Sequence, residues 1–157
     1  MSGFYGQYNT TMDSKGRFAL PARLRSVVDS DGQSCLKGNL ILAKGLEGCL
    51  SLYPEDEWQN IQDRLSSLSF TQKDFRYFSR RFYSSAASVS PDKNGRILIP
   101  ALLAGEAHLK KDLIVIGVNR SIEIWHPERF EYYLEQFQGS WEEVAERLFA
   151  ADNGRQE

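Results

Sequence analysis

The sequence is poor in the residues that most enzyme and metal chemistry needs. It holds two cysteines, Cys35 and Cys49, and two histidines, His108 and His126, in 157 residues. The cysteines stand 14 positions apart with no Cys-x-x-Cys, so their spacing spells neither a zinc site nor a disulfide framework. His108 falls in "AGEAHLKKD", a helix-to-strand loop, and His126 precedes Pro127 after a strand; neither has a motif-level nucleophile or carboxylate beside it. "GLEG" reads as a turn, because no Gly-Lys-Ser/Thr follows to make a phosphate loop. No catalytic residue, metal or cofactor is expected. Apolar runs are short and β-like, "LIVIGV" among the longest, far below the roughly 20 residues that cross a bilayer. The first residues, "MSGFYGQYNTTMD", lack the basic and apolar regions of a secretion signal. A cytoplasmic protein without a membrane partner or small-molecule substrate is the expectation.

What is present suffices for a packed core, as one domain or two tightly fused halves. The formal charge of −2 conceals a segregation: residues 1–25 carry +3, residues 71–96 carry +4 and residues 121–157 carry −6. Charge runs are usually solvated faces. Here, however, each positive block contains the same nine-residue device, "DSKGRFALP" at 13–21 and "DKNGRILIP" at 92–100.

The repeat extends beyond those nine residues. Gly45 aligns with Gly117, Leu50 with Ile122, Leu52 with Ile124, Tyr53 with Trp125 and Trp58 with Phe130, all at an offset of 72. The first copy is longer by a loop in "SDGQSCLKGN", marked by its Gly, Ser and Asn. Each module is expected to run lead-in strand ("FYGQYNTTM" or "YSSAASVS"), Asp-x-x-Gly turn, strand ("RFAL" or "RILI"), short helix with Pro21 or Pro100 in its first turn, then two strands. Helical spacing puts Trp58, Ile61, Leu65 and Leu68 on one face and Phe75, Phe78 and Phe82 on another, as core stripes. Thr71…Asp74 and Ser140…Glu143 look like capping boxes. The organisation expected is a first module with its helix at 1–70, a connecting helix at 71–82, and a second module with C-terminal helices at 83–157.

Turn chemistry accounts for Asp13, Gly16, Asp92 and Gly95: Asp at the first turn position bonds the turn backbone, and Gly at the fourth tolerates the exit dihedrals. It accounts for neither arginine. Strand alternation puts Phe18 and Leu20, or Ile97 and Ile99, on one face, and Arg17 or Arg96 on the other. If the apolar face is core, each arginine stands outward beside a turn that also carries Lys15 or Lys93, giving two matched cationic tips. An ion pair with the turn Asp, or with an acid of the C-terminal half, is the alternative for both arginines.

Paired Asp-x-x-x-Arg turns at this spacing, with "LYP" and "IEIW" following in place, resemble the MraZ family of bacterial transcriptional regulators, built of AbrB-like swapped-hairpin modules. The resemblance implies an α+β fold with a β-barrel-like core of two pseudo-symmetric modules and peripheral helices. It also implies a ring-like homo-oligomer, nucleoid-associated, that binds short direct repeats of double-stranded DNA in the promoter of the division and cell wall gene cluster. Family DNA contacts are ascribed to the Asp-x-x-x-Arg loops. They carry over to Asp13, Lys15, Gly16 and Arg17 and to Asp92, Lys93, Gly95 and Arg96. Lys15, Arg17 and Arg96 would touch DNA, while Asp13 and Asp92 would shape the loops, since a carboxylate facing phosphate repels it. Arg25 fits the family's basic position after the proline, as a phosphate contact. Its counterpart is Ala104, and that of Arg23 is Leu102, which makes the second module the poorer binder. Arg23 and Arg25 lie about 200° apart around a helix, so both cannot face one groove. The rival function is an AbrB-like protein-binding adaptor or antitoxin-type module, which the acidic, aromatic tail "WEEVAERLFAADNGRQE" would suit.

Overall fold

The computed structural model describes residues 3–153. The outermost residues of both expected modules, with Arg155 and Glu157 of the acidic block, lie outside the described residues. The elements are β1 (Phe4–Thr11), β2 (Arg17–Ala19), α1 (Ala22–Arg25), β3 (Leu40–Lys44), β4 (Leu50–Tyr53), α2 (Glu55–Ser66), α3 (Lys73–Ser85), β5 (Ala87–Val89), β6 (Arg96–Leu98), α4 (Ala101–Glu106), β7 (Asp112–Asn119), β8 (Ile122–Trp125), α5 (Pro127–Gln136) and α6 (Trp141–Asn153).

The central strands are buried on more than one face, Ser51 and Trp125 included. Leu50 and Leu52 of β4 and Ile122 and Ile124 of β8 are wholly buried, as their period of two requires. β4 and β8 lie side by side, with Leu50 opposite Ile124 and Leu52 opposite Ile122. They form the centre of a six-stranded antiparallel sheet in the order β1-β7-β8-β4-β3-β5. β1 pairs with β7 along its whole length, from Phe4 opposite Asn119 to Thr11 opposite Asp112. β5 pairs with β3, Val89 opposite Leu40. The first strand of each repeat therefore lies on the third strand of the other. β2 and β6 leave this sheet and pair with one another in a separate two-stranded ribbon. Phe18, Leu20, Ile97 and Ile99 anchor that ribbon in the common core.

Several expectations need correction. The core is not a closed barrel: β1 and β5 stand at the two ends of an open strand order. With only three residues in β5, and with β2 and β6 satisfying each other, the described strands offer nothing to join the edges. The second lead-in strand is also shorter than "YSSAASVS", because α3 continues through Ser85. Phe82 and Ser85 are buried one turn apart, and the Ser85 Oγ accepts from the Lys44 N–H at 3.1 Å, which holds the helix end against β3. Thr71 does not cap α3; its hydroxyl meets Ser69 Oγ at 2.6 Å and Gln72 takes the cap position. Ser140 does cap α6, its Oγ accepting from the Glu143 N–H at 3.2 Å. Pro21 and Pro100 sit at the cap positions of α1 and α4, with extended ψ of 137° and 144°, one residue before the first turn. The aromatic stripes are only partly core. Trp58 stacks on Phe82 at 5.4 Å and Phe82 on Phe78 at 5.2 Å, yet Phe78 stays 39% exposed and Leu68 lies beyond the end of α2.

Candidate nucleic-acid interface

Each repeated turn is closed by the same four bonds. In the first, the Asp13 N–H donates to Arg17 O at 2.8 Å and the Gly16 N–H to Asp13 O at 3.0 Å. Asp13 Oδ1 then accepts from the Lys15 and Arg17 N–H groups, both at 2.9 Å. In the second, the Asp92 N–H donates to Arg96 O and the Gly95 N–H to Asp92 O, both at 2.9 Å. Asp92 Oδ1 accepts from the Asn94 N–H at 2.8 Å and the Arg96 N–H at 2.9 Å. Gly16 and Gly95 leave the turns at φ of 84° and 75°, the left-handed region that disfavours any Cβ.

These bonds act on the carboxylates. Asp13 is held below the ordinary carboxylate range first by the Arg17 N–H, then by the Lys15 N–H and by the charges of Arg17 and Arg96, against a smaller opposing effect of desolvation than that of the leading bond. Asp92 is lowered likewise, by the Arg96 and Asn94 N–H groups and the charges of Arg96 and Arg17. Each carboxylate thus feels the arginine of the other turn, although the two turns are 79 positions apart in sequence.

The ribbon explains that closeness. β2 and β6 are antiparallel, with Arg17 opposite Leu98, Phe18 opposite Ile97 and Ala19 opposite Arg96. Ile99 N–H donates to Gly16 O at 2.8 Å and Leu20 N–H to Gly95 O at 2.9 Å, extending the ladder into both turns. The inner residues Phe18, Leu20, Ile97 and Ile99 are buried; the outer residues Arg17, Ala19, Arg96 and Leu98 are exposed. The two tips read from the sequence are the two ends of one surface.

The remaining candidates gather around it. Lys15 and Lys93 are exposed on the turns. Arg25 crosses from the first module to the second turn: its Nε donates to Leu20 O at 3.1 Å, and a Cβ on Gly95 would come within 2.6 Å of its Nη1. Arg23 is exposed on α1. Among the described residues the ion pairs are Lys44–Glu106 at 3.2 Å, Arg81–Glu106 at 3.3 Å and Arg120–Glu57 at 3.8 Å. None takes in Lys15, Arg17, Arg25, Lys93 or Arg96.

A third turn of the same construction escaped the sequence reading. In "DSDGQ", Asp29 Oδ1 accepts from the Asp31 and Gln33 N–H groups at 2.9 Å, the Gly32 N–H donates to Asp29 O at 3.1 Å, and Gly32 has φ of 78°. The signal was present as Asp-x-x-Gly, but it lies in the loop that only the first module has. Here Asp31 stands where Lys15 does and Gln33 where Arg17 does. The backbone device forms without any cation, so the lysines and arginines of the other two turns are not there to make the turn.

A family model described as "MraZ protein, putative antitoxin-like" matches the chain twice, over residues 4–81 and 82–152. The chain belongs to the MraZ family. It is 44% identical over 149 residues to "Transcriptional regulator MraZ" of Heliobacterium modesticaldum, covering 95% of this chain and 99% of the relative. The protein of the same name from Caldanaerobacter subterraneus is 43% identical over 143 residues, covering 91% and 94%. That of Cytophaga hutchinsonii is 37% identical over 151 residues, covering 96% and 97%. These relatives are transcriptional regulators by name, and the family is not one of enzymes.

Two side chains outside the ribbon, His126 and Cys49, have structural roles. His126 Nδ1 accepts from the Glu128 N–H at 3.1 Å and so caps α5. Cys49 is buried, and burial with Glu123 nearby pushes its thiol up to about 12, far from the range of a reactive thiolate. Among the described residues, no group of three or more His, Cys, Asp and Glu side chains could hold a metal ion, and no helix is long and apolar enough to cross a membrane.

Proposed function

We propose that the outer face of the β2–β6 ribbon, with a cationic turn at each end, is the DNA-reading element of a promoter-binding transcriptional regulator. The observation that carries this reading is the placement of Arg17 and Arg96 on one exposed face, with no ion-pair partner among the described residues. A two-stranded ribbon fits the major groove, and arginine can bond guanine O6 and N7 together there. Lys15, Lys93 and Arg25 serve phosphates as flanking charges. Asp13, Gly16, Asp92 and Gly95 hold the loops in shape. The strand order, which maps onto itself when the two repeats are exchanged, supports two pseudo-symmetric AbrB-like modules with interchanged hairpins.

A single ribbon offers too few cations for tight binding at cellular salt, since each neutralised phosphate contributes only about 0.9 to the log–log salt slope. A ring-like homo-oligomer on direct repeats, in the promoter of the division and cell wall gene cluster, supplies the missing affinity through effective concentration, by roughly 10² to 10⁴. Head-to-tail neighbours in a ring match direct repeats. α6 brings Glu142, Glu143 and Glu146 with exposed Trp141, Leu148 and Phe149; α3 brings Arg76, Arg80 and Arg81 with exposed Tyr77 and Phe78. Their opposite charge and shared apolar character suit contact between neighbouring subunits. A cytoplasmic, nucleoid-associated location follows from this reading.

Arg17→Gln is the decisive test, because Gln33 already occupies that slot in a turn of the same geometry. The variant keeps its circular dichroism and oligomer mass and loses promoter binding in a salt titration near 0.15 M; Arg96→Gln weakens binding less. Wild-type binding by Arg17→Gln overturns the ribbon model. The exposed Trp141 and Phe149 of α6 favour one other reading, a protein-binding adaptor or antitoxin-type module. A stoichiometric protein partner co-purifying without DNA would support that instead.

A further inference from the structure

Leu98 is the one large apolar side chain of the ribbon's outer face, and neither core burial nor phosphate contact explains it. It is 49% exposed, directly opposite Arg17, with Gly16 beneath it: a Cβ on Gly16 would meet Leu98 Cδ1 at 3.5 Å. Gly16 O accepts from the Ile99 N–H, and Gly95 O from the Leu20 N–H. Hydrogen-bonded and non-bonded pairs alternate along an antiparallel ladder, so Arg17/Leu98 and Ala19/Arg96 are non-bonded pairs, whose side chains stand closest. The outer face is therefore a square, with arginines on one diagonal and Leu98 and Ala19 on the other. The charges repeat between the two modules, but the apolar corners do not. Leu98 projects a branched side chain where Ala19 offers a single methyl.

Diagonal positions on such a pair are about 7–8 Å apart. That is roughly two base-pair steps of 3.4 Å, so two arginines reading bases leave an intervening position within reach of Leu98. An isobutyl group gains nothing from phosphate oxygens or from the hydrogen-bonding edges of bases. The floor of the major groove carries one apolar group, the C5-methyl of thymine.

We propose that Leu98 is a specificity-determining residue that packs on a thymine C5-methyl group in the major groove, beside the base engaged by Arg17. This rests on the DNA-binding reading above. Leu98 thereby gives the second module a recognition role of its own.

The test uses a duplex enriched by the full-length wild-type protein from a random library, with deoxyuridine replacing thymine at one position at a time in one repeat. This removes only the methyl group and leaves the protein unaltered. At one position, wild-type affinity falls about four-fold, the worth of one buried methyl-sized group. Leu98→Ala, altered in every subunit, binds the thymine duplex about four-fold more weakly for each repeat engaged and is indifferent to deoxyuridine at that position. A Leu98→Ala protein that keeps the full deoxyuridine penalty overturns the inference while leaving the ribbon model intact. So does a wild type indifferent at every thymine, or a Leu98→Ala variant altered in oligomer mass but not in base preference. Failure of the wild type to enrich any duplex overturns both readings together.

Discussion

Gly95 answers to two constraints at once. Its φ of 75° is left-handed, and the space where a Cβ would stand is taken by the Arg25 side chain, with Nη1 at 2.6 Å and Cδ at 2.9 Å. Gly16 has the same dihedral requirement, but its closest obstacle is Ile99 O at 3.1 Å. Gly95→Ala is therefore expected to lose about 1–2 kcal/mol from the backbone conformation alone. It should lose more than Gly16→Ala, because Arg25 must move and give up its bond to Leu20 O. Urea denaturation of both variants checks the order; equal losses would mean that Arg25 yields without cost. At this scale the sequence was readable for the turn-forming Asp and Gly, whose roles depend on neighbours two to four residues away. It was silent on Arg25. That guanidinium meets a glycine 70 positions further on, and the family resemblance suggested only a phosphate contact.

The ribbon shows what period-two reading can and cannot deliver. Alternation correctly divided Phe18, Leu20, Ile97 and Ile99 from Arg17, Ala19, Arg96 and Leu98. It could not say that β2 and β6 pair with each other, because one strand's pattern fixes its buried face and not its neighbour. Two separate tips thus became one surface. The same limit concealed the shortness of β5, where tertiary burial of Phe82 and Ser85 extended α3 past the strand-like "YSS". Because Phe18 and Ile97 come from different modules and are both about 1% exposed, truncation at their junction loosens the ribbon's outer face and the core together. Ile97→Ala is expected to cost about 2–5 kcal/mol in chemical denaturation. On the proposed function, its loss of DNA affinity at fixed temperature should be recovered on cooling toward maximal stability, unlike that of Arg17→Gln.

Over the whole molecule, the interchange of first strands means that neither repeat is self-sufficient. Without β7, the eight-residue β1 has no partner among the described strands, and without β3 neither has β5. The intact chain should unfold in a single transition, with calorimetric and van't Hoff enthalpies in agreement. A fragment ending at residue 81 should show no cooperative transition. A folded, cooperatively melting fragment would refute this. The sequence displayed the duplication plainly through Gly45/Gly117 and "LSLY"/"IEIW", but a duplication by itself leaves open which strand pairs with which. That the units trade strands is a matter of pairing partners, and the repeat itself carries no mark of it.

The pairing of β2 with β6 has a consequence in time as well as space. On the ribosome, Arg17 is made early, but the ribbon face that carries it does not exist until Arg96, Leu98 and Ile99 have emerged and closed a loop of about 80 residues. Contacts of such sequence separation form late and slowly. A nascent or prematurely terminated chain therefore carries the first arginine with no ribbon to present it. On the proposed function, promoter recognition is a property only of chains whose translation has run past the second turn, and an incomplete product would not compete with the finished regulator for its sites.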